Sequence, residues 1–299
     1  VRKITVLLIA MFLIGVILPA VPAGAKEREV DYAKPAFGKS TVVPLAKAHA
    51  HNDYEHERPL FDALDHGFTS VEADVWLEDG ELLVAHDQID IKPERTLESL
   101  YLKPLSERIK NNKGTIYKGY DQDFLLWIDI KSEDEATYVA IHEQLKKYNK
   151  MLTKFTDNGV KPNDVTVIIS GNRPRELMEN QRVRFASYDG RMSDLGSDVS
   201  NKFMPVISDN WTKHFTWQGY GEMPQHEREK LNHIVTAAHK NGQIVRFWAT
   251  PDLPLPNRKA IWDELLKASV DLINTDDLPE LQKYLNENDP QQTKKHINW

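Results

Sequence analysis

The sequence predicts an α/β fold: a closed (β/α)8 barrel, or TIM barrel, built as a single domain. Three observations carry this reading. Short apolar runs alternate with longer amphipathic ones, no linker interrupts the alternation, and eight such runs suit a chain of 299 residues. Strands are expected at 43–51, 70–77, 124–131, 165–170, 183–187, 203–208, 244–249 and 271–274. Helices are expected between them at 59–66, 105–112, 133–149, 173–179, 224–241 and 259–268, with 279–286 after the last strand. The long ones show helical spacing, as in Tyr138, Ile141, Leu145 and Tyr148, or Leu231, Ile234, Val235 and Ala238. Asp79-Gly80 predicts a tight hairpin that carries 81–86 back along the second strand. A doubly wound open sheet is the competing fold, but the sequence has no Gly-rich phosphate loop after a first strand.

The chain opens with Arg2 and Lys3, runs uncharged from Ile4 to Val21 and reaches Ala23-Gly24-Ala25 before Lys26. Basic start, apolar middle and small-residue end make 1–25 a secretory signal peptide, with cleavage expected after Ala25. An uncleaved anchor is the alternative, since the run approaches the length of a membrane span. Residues 26–41 read as a polar tether, 42–286 as the barrel and 287–299 as a polar C-terminal tail. Removing 1–25 takes away Arg2 and Lys3 and no acid, so the formal charge moves from -7 to -9. Such an acidic surface argues against nucleic acid and anionic lipid as bulk partners. The chain has no cysteine, which excludes disulfides, thiolate metal sites and a Cys nucleophile. An exported protein, secreted or held at the cell surface, with no lasting membrane span and monomeric, is the expectation.

In a barrel, reactive groups collect at the C-terminal ends of the strands. The first expected strand ends in His51-Asn52-Asp53, the fourth in Ser170-Gly171-Asn172-Arg173, the seventh in Arg246-Phe247-Trp248 and the eighth in Asn274-Thr275-Asp276-Asp277. More telling are charges inside apolar strands. Glu72 and Asp74 stand two apart in Ser70-Val-Glu-Ala-Asp-Val-Trp-Leu77, so both point to one face while Val71, Ala73 and Val75 point to the other. Buried like charges repel unless a cation lies between them, and a metal site is the sharper reading against a solvated sheet edge. Asn52, Glu72, Asp74 and Asp129 offer oxygen donors only, which suits Ca²⁺ or Mg²⁺ rather than Zn²⁺. The other reading of Asp129 is a structural ion network with Lys131 or Arg191. Of eleven histidines, His51 and His86 both end apolar strands beside the acidic pair. His49 would share the strand face of His51 but lie deeper. The stretch holding Trp211, Phe215, Trp217 and Tyr220 is either a loop packed on the barrel or a lid over its mouth.

The blocks His51-Asn52-Asp53-Tyr54, Ser70-Val-Glu72-Ala-Asp74-Val-Trp-Leu77, Leu-Val-Ala-His86, Trp127-Ile-Asp129-Ile-Lys131, Ser170-Gly-Asn-Arg-Pro174, Arg246-Phe-Trp-Ala-Thr-Pro251 and Ile273-Asn-Thr-Asp-Asp277 carry a family likeness. By them the chain resembles the phosphatidylinositol-specific phospholipase C-like superfamily, which includes the glycerophosphodiester phosphodiesterases. Within it the chain is most similar to the branch of the altered-inheritance-of-mitochondria proteins. The resemblance implies a (β/α) barrel, a phosphoric diester hydrolase and a small-molecule or lipid-headgroup phosphodiester as substrate. It also implies that His51 and His86 are the acid-base pair, that Asn52, Glu72, Asp74 and Asp129 hold a divalent cation, and that Lys131 contacts phosphate. Asn172, Arg173, Arg246 and Trp248 complete the expected substrate-binding set. The chain departs from the glycerophosphodiesterases in having His-Asn-Asp where they have His-Arg-Gly, and Asp129 where Glu is usual. A non-catalytic metal-dependent binding protein and a glycan-active enzyme are the alternatives on the same barrel.

Overall fold

In the computed structural model, which describes residues 42–293 and 297–299, eight parallel strands close into a barrel. They are β1 (Leu45–Ala50), β2 (Phe68–Glu78), β3 (Phe124–Ile130), β4 (Val165–Gly171), β5 (Ala186–Gly190), β6 (Val206–Asn210), β7 (Ile244–Trp248) and β8 (Leu272–Thr275). Each pairs with the next in chain order, and β8 pairs with β1 to complete the ring. Closure leaves the ring without an edge. The expected hairpin is present as Glu81–Val84, antiparallel to β2 through the Asp79-Gly80 turn.

Helices cover the outside: α1 (Phe61–Asp65), α2 (Lys103–Asn111), α3 (Asp134–Lys147), α4 (Arg175–Asn180), α5 (Trp211–His214), α6 (Gln225–Lys240), α7 (Pro256–Lys267) and α8 (Leu278–Asn288). Among the described residues, no helix is long and apolar enough to cross a membrane. The helical spacing read from the sequence matches the buried faces. Tyr138, Ile141 and Leu145 turn inward on α3, and Leu231, Ile234, Val235 and Ala238 do so on α6.

Strand alternation divides the apolar residues into two cores. Val71, Ala73, Val75, Leu126, Ile128, Val167, Ile169 and Phe247 face outward, into the larger cluster under the helices. Leu125, Trp127, Ile168, Val206, Ile244 and Leu272 face inward and form an apolar floor within the barrel. Above that floor, toward the strands' C-terminal ends, the inward positions become polar.

Three local readings differ from expectation. The fifth strand, expected at 183–187, is split: Val183–Arg184 joins a small antiparallel sheet with Lys154–Thr156, and only Ala186–Gly190 enters the barrel. The sixth begins at Val206 rather than 203, because Pro205 has no N–H to give to a ladder. In the expected polar tail, the described residues 287–293 and 297–299 include chain that packs on the barrel. Helix α8 extends to Asn288, the Ala46 N–H donates to the Gln292 carbonyl at 2.6 Å, and Ile297 is fully buried against the barrel floor. Trp299 meets Phe155 edge-on at 5.3 Å. Two apolar side chains in a polar run carry no periodicity, but burying Ile297 alone is worth roughly 1.5–3 kcal/mol. The expected signal peptide, 1–25, and tether, 26–41, lie outside the described residues.

The turn after β1 contains a buried acid. Asp53 Oδ2 accepts from the Leu60 N–H at 2.6 Å and the Tyr101 hydroxyl at 2.8 Å, while Oδ1 is buried without a partner. These bonds clamp Leu60 at φ 65°, in the left-handed region that a branched side chain rarely adopts. Burial pushes the Asp53 carboxyl up to about 7, against the two hydrogen bonds. The folded chain therefore keeps a proton that the unfolded chain has lost, so this site's contribution to stability falls as pH rises from about 4 to about 7. Replacing Asp53 with Asn should flatten that slope. Denaturant melts at pH 5 and pH 8 should show the wild type losing on the order of 2–4 kcal/mol relative to the variant at the higher pH.

Candidate active site

Strand β2 delivers two acids to the barrel mouth, and register supplies the third. Asp74 pairs with Asp129 across β2 and β3, and Glu72 sits one inward position deeper, opposite Trp127. Ligand oxygens of Glu72, Asp74 and Asp129 all lie within 4.8 Å of one another. Oxygens that share one Ca²⁺-sized ion at about 2.4 Å are at most about 5 Å apart, so this spacing fits a single cation.

The three carboxylates are balanced unequally. Glu72 Oε2 accepts from the Arg246 guanidinium and lies 3.1 Å from His49 Nε2. Burial opposes charge on Glu72, but Arg246 beside it holds the carboxyl well below the usual range. His49 Nδ1 lies 2.7 Å from Ser70 Oγ, which also receives the Trp127 indole N–H at 3.1 Å. Burial, and then Arg246, push His49 down to about 3, so its ring is neutral. The network then assigns its proton to Nε2, donated to Glu72, with Nδ1 accepting from Ser70. Arg246 also lies over the Trp127 ring at 4.6 Å and donates from Nε to Asn274 Oδ1 at 2.9 Å. At 2 % exposure it is buried inside the barrel and committed to Glu72. Arg246, expected in the substrate-binding set, thus lies one inward position below the strand end, a depth that strand-end pattern alone does not fix.

Asp74 has one saturated oxygen and one bare one. Oδ2 accepts from the Tyr54 hydroxyl at 2.6 Å, and lies 3.0 Å from both His86 Nδ1 and Lys131 Nζ. Oδ1 is buried with no hydrogen-bond partner. Burial, then the nearby Glu72 charge, push Asp74 up to about 6, and the same two causes raise Asp129. A bare carboxylate oxygen among crowded acids, in a cluster of oxygen donors without sulfur, fits a hard cation. Lys131 Nζ also lies 3.0 Å from Asp129 Oδ1. Burial disfavours its charge, yet Asp129 and Asp74 raise its pKa, so it remains an ammonium. Of the two ion partners weighed for Asp129, Lys131 is the one present. Arg191 pairs with Asp189 instead.

Asn52 stands in the left-handed region at φ 46°, which Asn tolerates, and its Oδ1 lies 2.9 Å from the Tyr54 hydroxyl that also meets Asp74. Tyr54 thus links the fourth expected oxygen donor to the acids. Gly171, at φ 69°, backs Asp129: a Cβ there would collide with Asp129 Oδ1 and the Ile130 carbonyl. Both expected histidines stand at this mouth. His51 Nδ1 lies 2.9 Å from Asp276 Oδ1, at the end of β8, and His86, its side chain 57 % exposed, is anchored by Asp74. Asp252 holds the Asp276 N–H at 2.7 Å and the Thr275 hydroxyl at 2.8 Å, which steadies the partner of His51.

Asn172 and Arg173 lie beside the acids rather than among them. With Ser132, Glu133, Asp134, Gly171 and Tyr188 they line a cavity of about 480 Å³. Asn172 Nδ2 donates to the Ser132 carbonyl at 2.9 Å, and Arg173 lies over the Tyr188 ring at 4.9 Å. Trp248 ends β7, in register with Asn210 of β6. The aromatic stretch packs on the barrel: Trp211, Phe215 and Trp217 are buried, Trp211 and Phe215 against Phe247, and only Tyr220 is exposed.

Sequence reasoning missed an inward group on β5. Fully buried Asp189 accepts from the Ser170 hydroxyl at 2.8 Å and the Ser208 hydroxyl at 2.9 Å, and pairs with Arg191. Extending the fifth strand by its two-residue period would have found it. Tyr54 gave no such signal, since its partners come from other elements.

A family model described as the AIM6-like phosphodiesterase domain matches residues 39–189, half of the chain, and one for the glycerophosphoryl diester phosphodiesterase family matches 245–279. The chain is 30% identical to altered inheritance of mitochondria protein 6 of Eremothecium gossypii, over 87% of this chain and 75% of that protein. It is also 30% identical to the homologue of that protein in Arthroderma benhamiae, over 86% of this chain and 89% of the other. The chain belongs to the AIM6-like phosphodiesterase family. Among solved structures, a glycerophosphoryl diester phosphodiesterase from Parabacteroides distasonis aligns at 12% identity and a TM-score of 0.46, covering 83% of this chain and 88% of that one. The first match spans β1 to β4 and most of β5 of this family member, and so contains His51, Asn52, Glu72, Asp74, His86, Asp129 and Lys131. The second contains Arg246, Trp248 and Asp276.

Two outcomes follow for this AIM6-like chain. Arg246→Met removes the counter-charge of Glu72 in the interior and leaves it only the His49 hydrogen bond, and should cost about 3–5 kcal/mol in denaturant unfolding at pH 7. Gly171→Ala combines left-handed backbone with a clash on Asp129, and should cost about 1–3 kcal/mol in denaturant unfolding.

Proposed function

We propose that the protein is an exported, cation-dependent phosphoric diester hydrolase that uses His51 and His86 as its acid-base pair. One observation carries the reading: on a chain of the AIM6-like phosphodiesterase family, three carboxylates gather within 4.8 Å at the mouth where both imidazoles stand. A phosphodiester is anionic, so its cleavage needs charge neutralisation, a proton removed from the attacking hydroxyl and a proton delivered to the leaving oxygen.

Asn52, Glu72, Asp74 and Asp129 would hold Ca²⁺ or Mg²⁺, which supplies Lewis-acid charge toward the phosphoryl group when bound. The remaining steps belong to side chains. His86 directs Nδ1 to the Asp74 carboxylate at 3.0 Å, which leaves Nε2 as the basic nitrogen for the attacking hydroxyl. His51 directs Nδ1 to Asp276 at 2.9 Å. Burial disfavours its charge, but the Asp276 hydrogen bond and the Glu72 field raise its pKa, which suits a ring that gives a proton to the leaving oxygen. Lys131 and the neighbouring cavity with Asn172 and Arg173 would receive the phosphate and its substituent. The substrate class is a small-molecule or lipid-headgroup phosphodiester, with the protein acting as a monomer, without nucleic acid and without a lasting membrane span. Export rests on the signal-peptide pattern of 1–25.

A panel of phosphodiesters that includes phosphatidylinositol and glycerophosphocholine, assayed after chelation and after return of each cation, tests the proposal. At least one diester should be cleaved, chelation should abolish cleavage, and Ca²⁺ or Mg²⁺ should restore it. His51→Ala and His86→Ala should each lower kcat by about 10²-fold or more. Parental rates in both variants would refute the acid-base assignment.

A further inference from the structure

Lys131 is placed for more than phosphate contact. Its ammonium lies 3.0 Å from Asp74 Oδ2 and 3.0 Å from Asp129 Oδ1, two of the three carboxylates in the cluster. The third, Glu72, already has the buried Arg246 as its partner. Lys131 is therefore the counter-charge of the remaining pair.

Two features make that counter-charge displaceable. The acids are fixed on neighbouring strands in register, whereas Lys131 directly follows the last residue of β3 and carries its charge on a flexible four-carbon stem. Its side chain is 27 % exposed where that of Asp74 is 1 % exposed, so the ammonium has a route outward that the carboxylate lacks. Nor does Lys131 complete the cluster, for Asp74 Oδ1 stays buried and unpartnered with the ammonium in place.

We propose that Lys131 is an exchangeable counter-ion. Its ammonium neutralises Asp74 and Asp129 in the cation-free protein, leaves them when a divalent cation enters, and then pairs with the anionic phosphodiester. This rests on the cation-dependent reading above. Charge sets the direction of the exchange. Three carboxylates opposed by Arg246 and Lys131 leave one net negative charge in the cluster. A dication entering beside an unmoved ammonium reverses that sign, and like charges within about 5 Å repel strongly in a setting drier than bulk water. Swinging the ammonium toward the mouth relieves the repulsion and brings positive charge to the place where the phosphate arrives. Cation entry and recognition of the substrate anion then become one coupled event, each favouring the other.

The test is calorimetric titration of Ca²⁺ and of Mg²⁺ into the full chain, as wild type, Lys131→Met and Lys131→Gln. It is joined by acetylation footprinting of wild-type lysines by mass spectrometry, with and without cation. Removing the competing ammonium should tighten cation binding by at least about 10-fold, and should lower the melting temperature of the cation-free variants. In the wild type, Lys131 acetylation should rise when cation is added. Equal affinity in all three proteins, with Lys131 labelling unmoved by cation, overturns the exchange and leaves the cation site standing. If none of the three proteins binds either cation, the cation-dependent reading falls and the exchange falls with it. Should neither variant fold, the labelling of Lys131 in the wild type decides alone.

Discussion

Three carboxylates pressed together inside a barrel repel one another, and the upper half of this molecule is organised around that repulsion. Arg246 and His49 converge on Glu72 from β7 and β1, while Lys131, Tyr54 and His86 converge on Asp74 from the end of β3, the turn after β1 and the end of the hairpin. The two groups on Glu72 are held in turn, Arg246 by Asn274 and the Trp127 ring and His49 by Ser70. A buried charge is tolerated when it is paired and hydrogen-bonded, and here the pairing reaches across much of the barrel's circumference. Asp74 Oδ1, buried without a hydrogen-bond partner, is left out of the compensation, and that omission distinguishes the cluster from a completed ion network.

The barrel separates stability from chemistry along its axis. At the floor, Leu125, Ile168, Val206, Ile244 and Leu272 pack as an ordinary apolar interior, with Ile297 against them. Toward the strands' C-terminal ends the inward positions are taken by His49, Glu72, Asp74, Asp129, Ser170, Asp189, Ser208 and Arg246. Loops there carry the side chains that a strand could not present so openly, His51 and His86 among them. The acids therefore stand on rigid elements, while the groups proposed to move protons stand on connections, which agrees with how reactive sites are distributed on this architecture.

Two polar networks share the mouth. The first is the carboxylate cluster; the second joins Asp189, Ser170, Ser208 and Arg191. Ser170 is paired in register with Asp129, so the two networks touch through adjacent strands. Membership of the AIM6-like phosphodiesterase family gives the mouth its chemical context, and the matched segments hold nearly all of the polar groups described at it. Their compensation by Arg246, His49 and Tyr54 is a property of the folded chain.

The sequence by itself determined the barrel and most of its strands, because alternation along a strand and the helical repeat between strands are local consequences of backbone geometry. It also determined that Glu72 and Asp74 share a face, since their separation of two leaves no other option in a strand. It misjudged β5, the start of β6 and the segment 287–299, where the branching of 183–190 between two sheets, Pro205 and the isolated Ile297 broke the periodic signal. Only the tertiary structure decided depth and company. That Arg246 is buried against Glu72, that Tyr54 joins Asn52 to Asp74, and that Asp276 steadies His51 all depend on strand register and ring closure. Those contacts join residues as far apart in sequence as 51 and 276, and no periodicity along the chain encodes which side chains a closed ring will bring face to face.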